Sequence, residues 1–269
     1  MSLLVSLVLL ASGGVPEPAE LRWDPRVDLP VTAVELAAYL STETFLKPAL
    51  APPGCRWCAT NGFDDGVRRL FNPSLTPSSN GVAGPDVASG ITLGLTAGAM
   101  VGVDLLLSWR DGAVQDFWAD LTITAEAALA ASCVNQVVKF AVGRARPYTI
   151  GAPASLLAVS NADDQNLSFF SGHTSFVFAA VGAAGTVATM RGYRLGWLTW
   201  VVGIPLALST TLLRLAADKH WASDTLVAMV VGAGVGVGLP LLFHGPVSRA
   251  LPQVTISVVP GGLGLSGRF

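Results

Sequence analysis

The sequence predicts an all-α, polytopic membrane helix bundle, with five strong spans plus one N-terminal helix that is either amphipathic or spanning. Three observations carry this prediction. Of 269 residues, 51% are hydrophobic and 13% charged, whereas charged residues make up about 25% of a soluble domain. Apolar segments long enough to cross ~30 Å of hydrocarbon recur along the chain. Twenty-nine glycines suit closely packed helices in lipid, where small side chains let backbones approach. A formal net charge of −2 offers no basic surface for nucleic acid. With no internal repeat or low-complexity tract, the chain divides into a signal-like segment and linker (1–28), an amphipathic helix and extramembrane loop (29–87), a helix bundle (88–244) and a C-terminal tail (245–269).

Taken in order, Ser2 to Ala11 is a short apolar run followed by small residues, like the core and exit of a secretory signal peptide, but with no Lys or Arg before it. An uncleaved anchor is the alternative for residues 1–14. Arg22 to Pro30 reads as a polar linker. Val31 to Leu50 has a helical pattern interrupted by Glu35, Glu43 and Lys47, which suits a helix packed within the bundle or lying at its interface. Ala51 to Asp86, rich in Pro, Gly, Asn and Ser, is expected to be an extended connection with Arg68 and Arg69 near headgroups. It contains Cys55-Arg-Trp-Cys58, for which a disulfide outside the cytoplasm is the preferred reading and free thiols the next. Cys133 is a packing residue.

The five strong spans are about Ala88 to Trp109, Phe117 to Val142, His173 to Met190, Leu195 to Leu213 and Asp224 to His244. Asp104, Asp120 and Glu126 fall inside them, and carboxylates there usually face the interior. His244 reads as an interface residue. The tail holds an alternating stretch from Val254, which suits a short strand or an extended segment.

Three polar clusters interrupt this apolar frame. The first runs Lys139-Phe-Ala-Val-Gly-Arg144-Ala-Arg146-Pro147, the second is Phe170-Ser171-Gly172-His173, and the third runs from Arg214 through His220 to Asp224. They end the second span, begin the third and join the fourth to the fifth, so alternation puts all three on one side of the membrane. Arg110, Arg191 and Arg194 fall on the opposite side, which suits a cytoplasmic face. That places the clusters on the exterior or periplasmic face of a bacterial-type inner membrane. A cleaved signal peptide and a spanning Val31 to Leu50 helix cannot both hold with this orientation.

The clusters contain what phosphate-ester cleavage needs. Lys139 and Arg146 are seven apart, nearly on one face if a helix continues to Pro147, with Arg144 turned elsewhere towards headgroups. His220 and Asp224 are four apart, neighbours on a helix, where the carboxylate could hold one ring nitrogen and leave the other free to attack. Ser171 and Gly172 sit at a helix start that favours an anion. His173 could protonate a leaving alkoxide, and Arg214 could hold two phosphate oxygens.

These blocks resemble the type 2 phosphatidic acid phosphatase (PAP2) and vanadium haloperoxidase superfamily, whose signature is KxxxxxxRP, PSGH and SRxxxxxHxxxD. Lys139 to Pro147 matches the first block. Phe170 stands for Pro in the second and Leu213 for Ser in the third. The resemblance implies a PAP2-like bundle and hydrolysis of a phosphate monoester or pyrophosphate without metal or cofactor. His220 would form a phosphohistidine, Asp224 would orient it, and His173 would act as general acid. Lys139, Arg146, Ser171, Gly172 and Arg214 would hold the phosphoryl oxygens. A pocket at a membrane surface makes a lipid phosphate or polyprenyl pyrophosphate the expected substrate. The alternatives are a vanadium-dependent haloperoxidase, a non-catalytic membrane lipid-binding or transport protein, and a soluble secreted phosphatase. Oligomeric state is not set by the sequence.

Overall fold

The structure is a computed structural model that describes residues 17–75, 78–247, 253–259 and 262–268. The signal-like run and its cleavage, within residues 1–14, lie outside the described residues. The chain forms α1 Pro25–Thr44, α2 Lys47–Leu50, α3 Gly62–Phe71, α4 Ala83–Arg110, α5 Phe117–Val142, α6 Ala154–Leu157, α7 Gly172–Arg191, α8 Trp197–Ala216 and α9 Ala222–Phe243. In the tail, β1 Gln253–Val259 pairs antiparallel with β2 Gly262–Arg268. Among the described residues, five helices are long and apolar enough to cross a membrane: α4, α5 with its preceding 3-10 turn, α7, α8 and α9. These are the five expected spans, with ends shifted by a few residues.

The element boundaries follow local chemistry. α5 stops because Gly143 takes the left-handed conformation (φ 59°) and returns its N–H to the Lys139 carbonyl. Ser171 caps the start of α7, and Gly192 (φ 74°) ends it. α1 starts earlier than expected, inside the supposed polar linker, because Asp24 caps it and Pro25 takes the first helical position. The expected extended loop after it also holds a helix, α3, capped by Asn61.

α7 is the central helix of the bundle. Its buried face includes Val177, Ala179, Val181, Ala183 and Val187, and it packs against α5, α8 and α9. At the α7–α9 seam, a Cβ on Gly232 or Gly236 would collide with the backbone of Ser175 or Ala179, so glycine sets the helix spacing there. At the far end from the polar clusters, Asp120 accepts from Arg191 at 2.7 and 2.8 Å and from the Tyr193 hydroxyl at 2.8 Å. The intramembrane carboxylate thus faces inward and is paired.

α1 runs the length of the bundle beside α5. Before it, Ala19 donates to the Arg191 carbonyl and Leu21 bridges Pro246. After it, Lys47 reaches Asp164 at 3.2 Å at the cluster end. Val27, Val34 and Leu40 remain exposed on its outer side. His244, expected at the interface, is instead buried between α9, α5 and the segment before α1, with Nδ1 donating to the Arg22 carbonyl at 3.0 Å.

Candidate active site

The three clusters meet at one end of the bundle, as alternation of the spans requires. Lys139, Arg146, Gly172, His173, Arg214 and His220 line one cavity of about 800 Å³. Ser171 and Asp224 stand behind its wall. The cavity also takes Lys47, Lys219, Asn135 and Asp164.

His220 is fixed through one ring nitrogen. Its Nδ1 lies 2.7 Å from the Ser168 carbonyl oxygen, an acceptor only, so Nδ1 carries the proton and Nε2 keeps its lone pair. Nε2 faces Arg146 Nη1 at 3.3 Å. Burial, reinforced by the Arg146, Arg214 and Lys139 charges, drives the ring well below the usual histidine range despite the Ser168 hydrogen bond. A neutral imidazole with one nitrogen aimed at cations is poised to attack an electrophile that those cations hold.

Asp224 does not orient His220 in the way its spacing suggests. The chain is not helical at His220, because α9 begins two residues later, and Nδ1 is 3.9 Å from the carboxylate. Asp224 instead accepts the Trp221 amide at 3.0 Å, capping α9, and takes the Ser168 hydroxyl at 2.5 Å. It therefore acts on His220 through Ser168, whose hydroxyl it anchors and whose carbonyl holds the ring.

Behind Asp224 lies a layer that spacing did not reveal. Arg144 is 1% exposed, not at headgroups. It pairs with Asp224, donates to Asp64 at 2.7 Å and to the Ser223 hydroxyl at 2.8 Å, and stacks 4.0 Å over the Trp57 ring. Asp64 also accepts the Ser223 amide at 2.8 Å. Burial alone would raise its pKa, but the Ser223 amide and Arg144 outweigh that and hold it below the usual carboxylate range. Arg68, expected near headgroups, instead forms a two-pronged pair with Asp218 at 2.7 and 2.8 Å. Asp218 takes a left-handed conformation (φ 57°), which turns the chain from α8 towards His220.

Arg146 is not on the same helix as Lys139, since α5 ends at Val142. It reaches the cavity from the extended segment that follows. Its guanidinium donates to the Asp164 carbonyl at 2.7 Å, the Asp164 carboxylate at 2.8 Å and the Lys219 carbonyl at 2.9 Å. Burial pushes the Asp164 carboxyl up, but Arg146, Lys47, Lys139 and Lys219 together hold it far below its ordinary value. Asp164 therefore stays ionised and fixes Arg146.

The remaining positions divide by role. No carboxylate among the described residues lies within ion-pairing distance of Lys139. Arg214 pairs with Asp86 and donates to the Ser89 hydroxyl at 3.1 Å. Ser171 Oγ accepts the Thr174 amide at 3.5 Å and so serves as a helix cap rather than as cavity wall. A Cβ on Gly172 would press on Asn135 and on the Lys139 ammonium, 3.2 Å away, so glycine keeps that corner open. His173 is half-buried on the cavity wall. Lys219 could have been found from its place beside His220. Asp64 and Asp164 carry no spacing signal, because their partners Arg144 and Arg146 are remote in sequence.

The chain resembles the PAP2 superfamily, whose family model matches residues 120–246. The matched PAP2 segment runs from Asp120, at the far end of the bundle, to just past His244, and includes every residue of the three clusters. No curated protein matches the chain. Among solved structures, one match is the crystal structure of the first transmembrane PAP2 type phosphatidylglycerolphosphate phosphatase from Bacillus subtilis. It is 15% identical, covers 88% of this chain and 90% of its own, and has a TM-score of 0.36.

Beside the PAP2 segment, Cys55 and Cys58 form a disulfide with Cα atoms 5.5 Å apart. Their loop lies on the site: Arg56 donates to the Gly143 carbonyl at 2.9 Å, and Ala145 to that of Trp57 at 3.1 Å. The disulfide loop thereby holds the Trp57 ring over Arg144.

Proposed function

We propose that the chain is a membrane phosphatase that hydrolyses a lipid phosphate or polyprenyl pyrophosphate through a phosphohistidine on His220. The observation that carries this is the His220 ring, neutral, held at Nδ1 by Ser168 and presenting Nε2 to the cationic wall of the cavity. Binding alone would need the cations but not an aimed nucleophile.

In the first step, Nε2 attacks phosphorus and a P–N bond forms as the P–O bond to the leaving group breaks. His173, protonated once the negative charge of the bound phosphate offsets the neighbouring cations, gives its proton to the departing oxygen. Arg146, Lys139 and Arg214 hold the equatorial oxygens and offset their developing charge. In the second step, neutral His173 takes a proton from water, whose oxygen attacks phosphorus. The P–N bond breaks, and inorganic phosphate and free His220 return. No metal enters either step.

The shape of the cavity favours a lipid. Below the cations it continues along α5 from Lys139 to Ala125 between Leu36, Leu93, Leu129 and Phe176. Fourteen residues of helix correspond to a depth of about 21 Å. An alkyl or prenyl chain fits that apolar depth while its head reaches His220. The site is assigned to the exterior face: the disulfide loop lies at the site end, and disulfides persist in oxidising compartments, while Arg110 and Arg194 lie at the other end.

The test is phosphate release by the detergent-purified protein, with EDTA present, from phosphatidic acid, phosphatidylglycerol phosphate, lipid A and polyprenyl pyrophosphate. Release from at least one, inhibited by vanadate, is expected. Release from none, or halide oxidation once vanadate is bound, would overturn the reading.

A further inference from the structure

At the opposite end of the bundle from His220, a second cavity of about 650 Å³ lies between the segment before α1, α5 and the end of α9. Asp28, Glu126 and His244 converge there, each offering one ligand atom within 4.8 Å of the others. This group plays no part in the phosphatase chemistry. His244 ends α9, whose first turn holds Asp224, and the 22 residues of α9 correspond to a separation of about 33 Å.

Two of the three ligand atoms are buried without a hydrogen-bond partner. They are His244 Nε2 and Glu126 Oε2, on residues 3% and 8% exposed. They face each other at 3.5 Å, near the spacing of two ligands each ~2.0–2.2 Å from one tetrahedral ion. His244 is arranged as metal-bound histidines are: Nδ1–H donates to a backbone carbonyl, that of Arg22, at 3.0 Å, and this directs the Nε2 lone pair at the cluster. Asp28 is fixed through one oxygen, which accepts the Asp24 amide at 2.8 Å, leaving the other for a cation. Glu20 and Asp24 add negative charge to the cavity wall, and Arg22 is the cation beside them.

We infer that Asp28, Glu126 and His244 bind one divalent transition-metal ion, of the zinc class, that ties the start of α1 to α5 and to the end of α9. One imidazole and two carboxylates select such an ion over magnesium or calcium, which take oxygen ligands. Three protein ligands leave one position for water. The ion has a structural role, since it joins three chain segments far apart in sequence, at residues 28, 126 and 244.

The test uses the full-length, tag-free protein in detergent, stripped with EDTA and desalted. Titrated with Zn2+ alone, it is expected to bind one equivalent and to unfold several degrees higher. Glu126→Gln and His244→Ala are each expected to weaken binding at least tenfold, while phosphate release below the unfolding range stays unchanged. Cu2+ bound to the wild-type protein gives a readout that does not depend on variants folding. Pulsed electron paramagnetic resonance is expected to show one coordinated imidazole, and none when a large excess of Zn2+ occupies the site first. No saturable binding, binding unchanged in both variants, or bound Cu2+ without an imidazole would overturn the inference and leave His244 and Glu126 as an ion pair.

Discussion

At the scale of the residue, the site rests on a carbonyl and a hydroxyl of one serine. Ser168 holds the His220 ring through its backbone and is itself held by Asp224 through its side chain. Burial and three neighbouring cations keep His220 neutral in the folded protein, whereas the unfolded chain protonates it near pH 6.5. Below that pH the unfolded state binds more protons at this site, so its share of stability is complete above about 6.5 and is lost as pH falls. The unfolding midpoint is therefore expected to drop between pH 7 and pH 5, and to drop less in His220→Gln. Equal drops would contradict the neutral ring. Asp64 and Asp164, also depressed, give the same sign only in the more acid range of carboxylates, which separates them from His220. That Lys139, Arg146, His173, Arg214 and His220 line one cavity was legible in sequence, because alternation of the spans brings their clusters to one end. Asp224 was legible as a participant but not in its role, because a carboxylate at the third position of a helix also caps the backbone.

At the scale of the element, α3 is what the sequence hid. Its loop-like composition masks a ten-residue helix that delivers Asp64 to Arg144 and Arg68 to Asp218. Arg144 looked like a headgroup anchor because its partners are not near it in sequence, and only the fold shows it buried between two carboxylates and Trp57. Removing one partner of a buried pair costs about 3–5 kcal/mol, because the other charge is left uncompensated. Asp64→Ala is thus expected to lower the thermal midpoint by many degrees and to reduce turnover, with Asp64→Asn the milder change. A variant as stable and active as wild type would remove α3 from the site's support. The spans themselves were legible to within a few residues, because length and hydropathy alone decide what crosses a bilayer.

At the scale of the whole molecule, the course of α1 bears on the parity conflict left by the sequence. It passes from the Arg191 end to the Asp164 end, so with the five apolar helices the bundle is crossed six times. The segment at Leu21 and the segment at Pro246 then meet at one end, opposite the site. With the exterior site proposed above, that course puts the start of α1 on the cytoplasmic side. The charges of α1 had left spanning and interfacial placement equally open, and its packing on α5, with apolar residues outward, favours the first. In intact cells, a cysteine placed at Asn80 is expected to react with a membrane-impermeant maleimide and one at Gly112 to be protected. The reverse pattern would turn the site to the cytoplasm.

The central claim is the covalent role of His220. The most direct measurement is rapid quenching of the detergent-purified protein with a substrate carrying 32P in the group to be released. Wild type is expected to hold label stable to alkali and labile to acid, as a phosphoramidate is, at a peptide containing His220. Folded His220→Ala is expected to hold none and to lose turnover. Turnover near wild type in that variant, or label on another residue, would contradict the mechanism.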